Sequence, residues 1–522
     1  MKREIFAITG LPPEVLAVAM AKYSRSPESI KDTIDELTEE KSAEFHEKWV
    51  LGFGDASVAD MAVIPMALEN VSILASKVVE DNRLASYQEK STRYQPFNIE
   101  RFFVPENVKA DAALEKIYME GIHELMDGYK EIVDGMVVFY AKQYPKPTEM
   151  KEKAYQNKCR ARSLDVARYL LPTATLTNFG MIMSARAMRH CVSKLLAHPL
   201  KEMNDIGKEI EHAATHPAYN PQARKVEHLL EELLGSTTNP HLVQKLREQL
   251  SLQVKGAPTL VKYTDPKDYL VKKNETMKKW GERLLANQES ATAWGGAPHA
   301  AVGIKNQDPR VEYITEQIAP EDELISTLLY AQSTLPFRTI VQTVRALPLE
   351  TKQEVVDSIQ NKRDAHDGVA REFEVGQGLM FDTLFDYGAF RDLQRHRLCT
   401  QINQDLSVRH GYETPRDVEE AGLLPRYQTL MAGNKQRVEE LEKHLGKTSQ
   451  YLMALAWKKR TLFKMNLREL YHMVELRTKA GGHFSYRDLC YDMYEQVKNA
   501  HPLLVRDLRA VKPNFPQEFF ER

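Results

Sequence analysis

Apolar residues recurring at steps of three and four predict helices over much of the chain. Residues 13–50 read as helices: Pro12-Pro13 can open the first, and Val15, Leu16, Val18 and Met20 supply its apolar positions. Gly52 to Asp60 reads as a loop leading into an apolar segment that closes at Ser76-Lys77-Val78-Val79-Glu80-Asp81-Asn82-Arg83. Leu84 to Phe97 is polar, rich in hydroxyls and stopped by Pro96, which predicts a functional loop. Residues 108–170 read as mainly helical, with a break at Tyr144-Pro145-Lys146-Pro147 and a turn over Leu171 to Thr177. A helix with Ile182, Ala185, Met188, Val192 and Leu195 on one face then runs to His198-Pro199, and a second runs to His216-Pro217. Between residues 220 and 310, Pro- and Gly-containing pairs punctuate short charged helices that keep apolar positions, the pattern of a structured connector. A last informative helix spans 462–477. It places Asn466, Leu470, Met473 and Arg477 on one face, its polar ends about 16 Å apart.

The second half of the chain repeats the first. Asp55-Ala56-Ser57-Val58-Ala59 matches His366-Asp367-Gly368-Val369-Ala370, and His216-Pro217 matches His501-Pro502. Ser184-Ala185-Arg186 with His190 and Val192 matches Asn466-Leu467-Arg468 with His472 and Val474, at one constant spacing. Their common order points to a duplicated domain. A length of 522 residues independently requires more than one core. We expect repeats at 1–220 and 311–522 joined by a helical connector at 221–310.

Lys plus Arg total 71 and Asp plus Glu 73, a net charge of −2. That balance argues against nucleic-acid binding, which uses a basic excess, but leaves room for a local basic pocket. Cys159, Cys191, Cys399 and Cys490 are widely separated, with no CxxC pair and hence no zinc or redox motif. A reduced, cytoplasmic setting is expected. The apolar stretch after Met1 is too short for a signal peptide, no run is long enough to span a membrane, and no metal is expected.

Candidate chemistry centres on Phe390-Arg391-Asp392-Leu393-Gln394-Arg395-His396-Arg397, which follows an apolar and aromatic segment from Leu379 to Tyr387. Three successive cationic or potentially cationic groups are either a solvated basic turn or the seat of an anion that neutralises them. Upstream, Ser91-Thr92-Arg93 puts two hydroxyls beside a guanidinium, a set that suits a phosphate and equally makes a capped surface turn. Asn466 and Arg477 on one helix face suit a long ligand with an anionic end; the alternative is a core helix whose arginine reaches solvent. A lone histidine such as His366 is more often structural than functional.

These residues resemble the flavin-dependent thymidylate synthases, whose signature is Arg-His-Arg, seven residues, then Ser-x-Arg. The first repeat has Asp81-Asn82-Arg83, seven residues, then Ser91-Thr92-Arg93; the second has Arg395-His396-Arg397, nine residues, then Ser407-Val408-Arg409. Each keeps one half of the signature. The family's upstream His-x-Ser-Val resembles His366-Asp367-Gly368-Val369, and its Asn-x-Arg helix with a second Arg matches Asn466, Arg468 and Arg477. In the first repeat Ser184 and Leu195 stand for that Asn and that last Arg. His483 and Tyr486-Arg487 lie where the family has a further His and an aromatic segment.

The resemblance implies an α+β fold: two tandem repeats, each a mixed sheet with packed helices. It implies reductive methylation of dUMP to dTMP with FAD, methylenetetrahydrofolate and NADPH. Arg395 and Arg477 would be catalytic, and Ser91, Thr92, Arg93 and Arg477 would bind substrate. His366, His396, Arg397, Asn466 and Arg468 would face the cofactor. One chain would mimic a homodimer, and two chains a tetramer. The alternative is a non-catalytic nucleotide- or flavin-binding paralogue with a structural role.

Overall fold

The computed structural model describes residues 10–24, 37–52, 57–93, 97, 100–216, 218–219, 221–236, 268–293, 310–315, 317–360, 372, 378–500, 508–515 and 518–521, with single positions at 8, 30, 34, 241, 243, 244, 246 and 505. Its longer helices are α1 (Pro13–Tyr23), α2 (Glu39–Phe45), α3 (Ile73–Val79), α4 (Ala112–Gln143), α5 (Glu152–Ala167), α6 (Ala185–Leu196), α7 (Lys201–Thr215) and α8 (Pro221–Ser236). There follow α9 (Asp268–Ala293), α10 (Pro320–Tyr330), α11 (Phe337–Arg345), α12 (Leu349–Gln360), α13 (Tyr387–Leu393), α14 (Leu424–Leu445), α15 (Leu467–Arg477) and α16 (Phe484–Ala500). The strands are β1 (Val63–Ser72), β2 (Ala85–Glu89), β3 (Leu176–Ser184), β4 (Val311–Tyr313), β5 (Leu379–Asp386), β6 (Thr400–Asn403) and β7 (Lys458–Met465).

The strands form a three-stranded sheet in the order β1-β3-β2 and a four-stranded sheet in the order β4-β5-β7-β6. Without β4, the second order repeats the first, and the helix after each leading strand (α3, α13) and after each third strand (α6, α15) falls in the same place. The fold is α+β, with two tandem repeats of one plan. The compact units interleave in sequence. One comprises Met1–Leu68, Leu84–Gln88 and Phe179–Lys267; the other comprises Glu69–Arg83, Glu89–Asn178 and Asp268–Arg522.

In the first unit α1 is apolar nearly all round and correspondingly buried, with Ala17, Val18 and Ala19 fully enclosed. His46 donates from Nε2 to the Glu14 carbonyl (3.0 Å), and burial pushes its imidazole pKa down. Helix α6 buries Ala185, Met188, Val192 and Leu195, and Gly207 of α7 lets Leu195 and Leu196 approach closely. The expected helix through Ile182 starts later: Ile182 lies on β3 with half its surface exposed. The Ser184 hydroxyl ends that strand by accepting the Ala187 amide as the α6 N-cap.

In the second unit the pairings β4/β5, β5/β7 and β6/β7 are all antiparallel. Tyr330, Phe337, Ile340 and Val341 from the helices pack with Met380, Ile402 and Leu462 of the sheet in one core. Asp382 pins α11 to that sheet. Its carboxylate accepts the Tyr330 hydroxyl (2.6 Å), the Phe337 amide (2.9 Å) and the Arg460 guanidinium (3.0 Å). Helix α4 lies along α14, with Gly121, Gly128 and Gly135 making room for Leu452, Leu430 and Leu423.

The two repeats meet inside this unit through matched backbone segments. Thr173 and Ala174 donate to the Met453 and Tyr451 carbonyls, and Leu455 and Ala456 donate back to Leu171 and Tyr169. Pro172 and Ala454 form the antiparallel bridge between them, and they are separated by the same constant spacing seen in the sequence. Equivalent residues facing each other in antiparallel pairing are the mark of a local two-fold axis. Each segment also receives its own repeat's helix: Ile73 and Leu74 donate to Thr175 and Thr173, as Tyr387 and Gly388 donate to Trp457 and Leu455.

Asn434 secures one of these segments. Its Nδ2 donates to the Leu452 carbonyl (2.9 Å) and its Oδ1 accepts the Trp457 indole N–H (2.7 Å), all of it buried. Asn434→Ala strands both partners without water and should lower the unfolding free energy by about 1–3 kcal/mol. Denaturant unfolding checks this; an unchanged midpoint would contradict it.

Candidate functional site

The site lies in the second unit and begins with an ionic cluster under the triplet. Lys77 on α3 pairs with Glu80 (2.5 Å) and with Glu89 at the end of β2 (2.8 Å). Glu89 also accepts the Ser76 hydroxyl (2.9 Å) and the Arg391 guanidinium (2.8 Å), and all these side chains are buried. Burial would raise the Glu89 carboxyl, but Arg391 and Lys77 outweigh it and hold it at about 2. Glu80 goes the other way: burial pushes its carboxyl up against the pull of Lys77. The segment read as a loop from Leu84 is therefore strand β2 in its first part.

Helix α13 is capped by Asp386, whose Oδ1 accepts the Ala389 amide (2.7 Å), and it ends at Gln394, which donates to the Lys77 carbonyl (2.7 Å). The triplet then turns its three side chains differently. Arg395 is exposed, His396 is buried and Arg397 is half-buried. The Arg397 carbonyl accepts Arg83 Nε (3.1 Å). Among the described residues, the guanidiniums of Arg395 and Arg397 have no ion-pair partner. His396 sits between Glu469 Oε1 at its Nδ1 (2.9 Å) and Arg477 Nε at its Nε2 (2.9 Å).

Helix α15 starts one residue after Asn466, whose Oδ1 accepts the Glu469 amide (3.0 Å). The preceding residues, expected to be helical from 462, belong to β7. Asn466 is thus the cap and Arg477 the last residue of the helix. Arg477 lies over the Tyr486 ring, 5.6 Å from its centroid.

Arg93 approaches the same ring. Its guanidinium grips both oxygens of Asp165 (2.8 and 3.2 Å), and it donates to the Tyr486 hydroxyl (3.0 Å) and the Gly481 carbonyl (3.0 Å). Burial disfavours this charge, but Asp165 more than compensates and stabilises the guanidinium. Ser91 accepts the Arg93 amide (3.1 Å), as Ser407 accepts that of Arg409 (3.2 Å) in the second repeat. Thr92 is buried. His483 donates from Nε2 to the Asp165 carbonyl (3.0 Å) and is held neutral by burial.

Asp392 is the electrostatic centre. Burial would raise its carboxyl, but Arg168, Arg93, Arg477 and Arg395 together hold it well below the usual range. Arg168 is the nearest, at 3.4 Å. Arg93 of the first repeat and Arg477 of the second thus meet at Tyr486, with His396 bonded to Arg477.

His366 lies outside the described residues, as do Asp55, Ala56 and the His501-Pro502 counterpart, and the Arg468 side chain is likewise outside them. Sequence reasoning missed Asp165, Arg168, Asp392, Glu469 and Tyr486 as site residues. Asp392 and Tyr486 stood inside quoted segments, and Glu469 stands three residues after Asn466, where a capping-box acid belongs. Asp165 and Arg168 carried no signal beyond charge in an apolar context. Among the described residues no group of His, Cys, Asp and Glu could hold a metal ion.

The family described as thymidylate synthase complementing protein matches residues 8–217 and 331–503. Over 536 residues the chain is 27% identical to a UPF0159 protein of Chlamydia pneumoniae, covering 96% of this chain and 90% of that one. A UPF0159 protein of Thermoplasma acidophilum is 24% identical, with 94% of each chain covered. A flavin-dependent thymidylate synthase of Clostridium tetani is 26% identical over 188 residues, 36% of this chain and 71% of that one. Among solved structures, the flavin-dependent thymidylate synthase of Helicobacter pylori complexed with FAD and dUMP gives a TM-score of 0.23 at 18% identity, covering 39% of this chain and 89% of that one.

The ionic cluster predicts acid behaviour. Glu89 has a depressed folded pKa, so its contribution to stability is complete above the ordinary value of 4.5 and is lost as pH falls toward about 2. Glu89→Gln should be less stable than wild type at neutral pH, and the gap should close through that window. Unfolding midpoints across the pH series check this; a gap that widens on acidification would contradict it.

Proposed function

The chain belongs to the thymidylate synthase complementing protein family, and from that premise we propose that it is a flavin-dependent methyltransferase that converts dUMP to dTMP at a site built from both repeats. The observation that carries this reading is that Arg477, held at Nε by His396 of the triplet, shares the Tyr486 ring with Arg93 of the first repeat. A nucleotide monophosphate is a dianion joined to a flat, hydrogen-bonding base. Guanidiniums suit its phosphate through forked donors.

In this reading Ser91, Thr92 and Arg93 take the nucleotide with Arg477. Arg395 and Arg477 act on the reacting pyrimidine, their fixed charges stabilising negative charge as it develops. His396, Arg397 and Asn466 would serve the cofactor, as would His366 and Arg468, whose side chains lie outside the described residues. Arg397, half-buried and without an ion-pair partner among the described residues, offers a cation that suits an FAD phosphate. When bound, FAD supplies the hydride, with methylenetetrahydrofolate giving the carbon and NADPH the reducing equivalents. The chain's own part is to bind, orient and neutralise.

We place the duplicated segments at 1–220 and 311–522 with 221–310 as connector. Two chains would equal a tetramer, a reading supported by the local two-fold at Pro172 and Ala454. All four cysteines are free and buried, which supports a reducing, cytoplasmic setting. Among the described residues no helix is long and apolar enough to cross a membrane.

A second reading rests on a specific observation: Arg93 is engaged by Asp165, Tyr486 and Gly481, and the first repeat carries Asp81-Asn82 where the second has Arg395-His396. Such a chain would bind nucleotide or flavin without turnover. Flavin absorbance of the purified protein, followed by tritium release from 5-labelled dUMP with NADPH and the folate, separates the two. Release supports the enzyme; binding without release supports the second reading.

Arg477→Ala should weaken dUMP binding by about 1.5–3 kcal/mol, the range for a charged hydrogen bond, with the circular dichroism spectrum unchanged. Calorimetric titration checks this; wild-type affinity in the variant would contradict the site.

A further inference from the structure

We infer that Glu469 and His396 are positioning residues that aim the Arg477 guanidinium, a role that rests on the nucleotide site proposed above. Arginine can only donate. The 2.9 Å contact from Arg477 Nε therefore fixes His396 Nε2 as the nitrogen with the free lone pair. The imidazole proton is then on Nδ1, where it donates to Glu469 Oε1 at 2.9 Å. The chain Glu469–His396–Arg477 runs in one direction, and each bond sets the next.

The surroundings favour that arrangement. His396 and Glu469 are nearly sealed, with 3% and 2% of their surfaces exposed, so neither exchanges partners with water. Burial lowers the imidazole pKa and Arg477 lowers it further, against the pull of Glu469, in keeping with a ring that accepts at Nε2. The other facing group, His472, has its ring 5.3 Å away.

Glu469 and Arg477 lie eight residues apart on one helix face, about 12 Å along the axis, and the imidazole from the triplet bridges that gap. Arg477 is then fixed at Nε by the histidine and across its face by Tyr486. Its two terminal nitrogens donate to no described residue. A guanidinium held by its Nε and one face presents a pre-aimed fork, which a freely rotating arginine must lose entropy to achieve. His396 thus acts on the ligand through Arg477, and Glu469 acts through His396.

The test uses the full-length protein with selectively 15N-labelled histidine. The ligand-free His396 side chain, assigned by its loss in His396→Gln, should show protonated Nδ1 and unprotonated Nε2. The opposite tautomer, or a charged ring at neutral pH, overturns the inference whether or not the protein binds dUMP. Glu469→Gln keeps a carbonyl acceptor and should preserve both the tautomer and dUMP affinity to within about threefold, whereas Glu469→Ala should lose about tenfold in affinity and the fixed tautomer. If Ala binds as well as wild type, or if Gln and Ala lose equally, Glu469 is only a buried countercharge and the inference fails. Wild-type protein that binds no dUMP defeats the proposed function instead, and the tautomer then decides the inference alone.

Discussion

Arg93 cannot be buried without a carboxylate, and the position of that carboxylate organises the site. Asp165 takes the guanidinium with both oxygens, and the remaining donors go to Tyr486 and Gly481. Arg93 and Asp165 belong to the first repeat, while Tyr486 and Gly481 belong to the second. One side chain thus ties the loop of one repeat to the turn between α15 and α16 of the other. Because a buried charge without its partner costs several kcal/mol, this tie is strongly specified. It also puts the Tyr486 ring where Arg477 lies over it.

The matched pairing around Pro172 and Ala454 joins equivalent segments of the two repeats within the second unit. The second repeat carries Arg395-His396-Arg397 where the first carries Asp81-Asn82-Arg83. The Ser-x-Arg turn keeps its hydroxyl-to-amide bond in both repeats. Yet Arg93 is buried, whereas Arg409 is exposed with a distant partner in Glu442. The two turns share a backbone form and differ in what their arginines meet.

Much of this was legible in the sequence. The constant spacing between the halves and the helical run with a break near Pro145, seen as α4 and α5, follow from local rules. The failures have a common cause. Strand β2 was hidden because one of its inward residues is Glu89, a buried ion that reads as a surface residue. Strand β7 was hidden because Arg460 and Lys464 face the interior, neutralised by Asp382 and Glu323. Apolar periodicity cannot register a core position filled by a paired charge. Asp165 and Tyr486 were hidden for another reason: their roles depend on which distant segments meet, and residue spacing does not encode that.

The most direct measurement is a crystal structure of the protein soaked with dUMP and FAD. The account predicts nucleotide density that touches groups of both repeats, the Ser91–Arg93 turn on one side and Arg395 with Arg477 on the other. Density that touches one repeat only, or a site here left empty while dUMP binds saturably in solution, would contradict it.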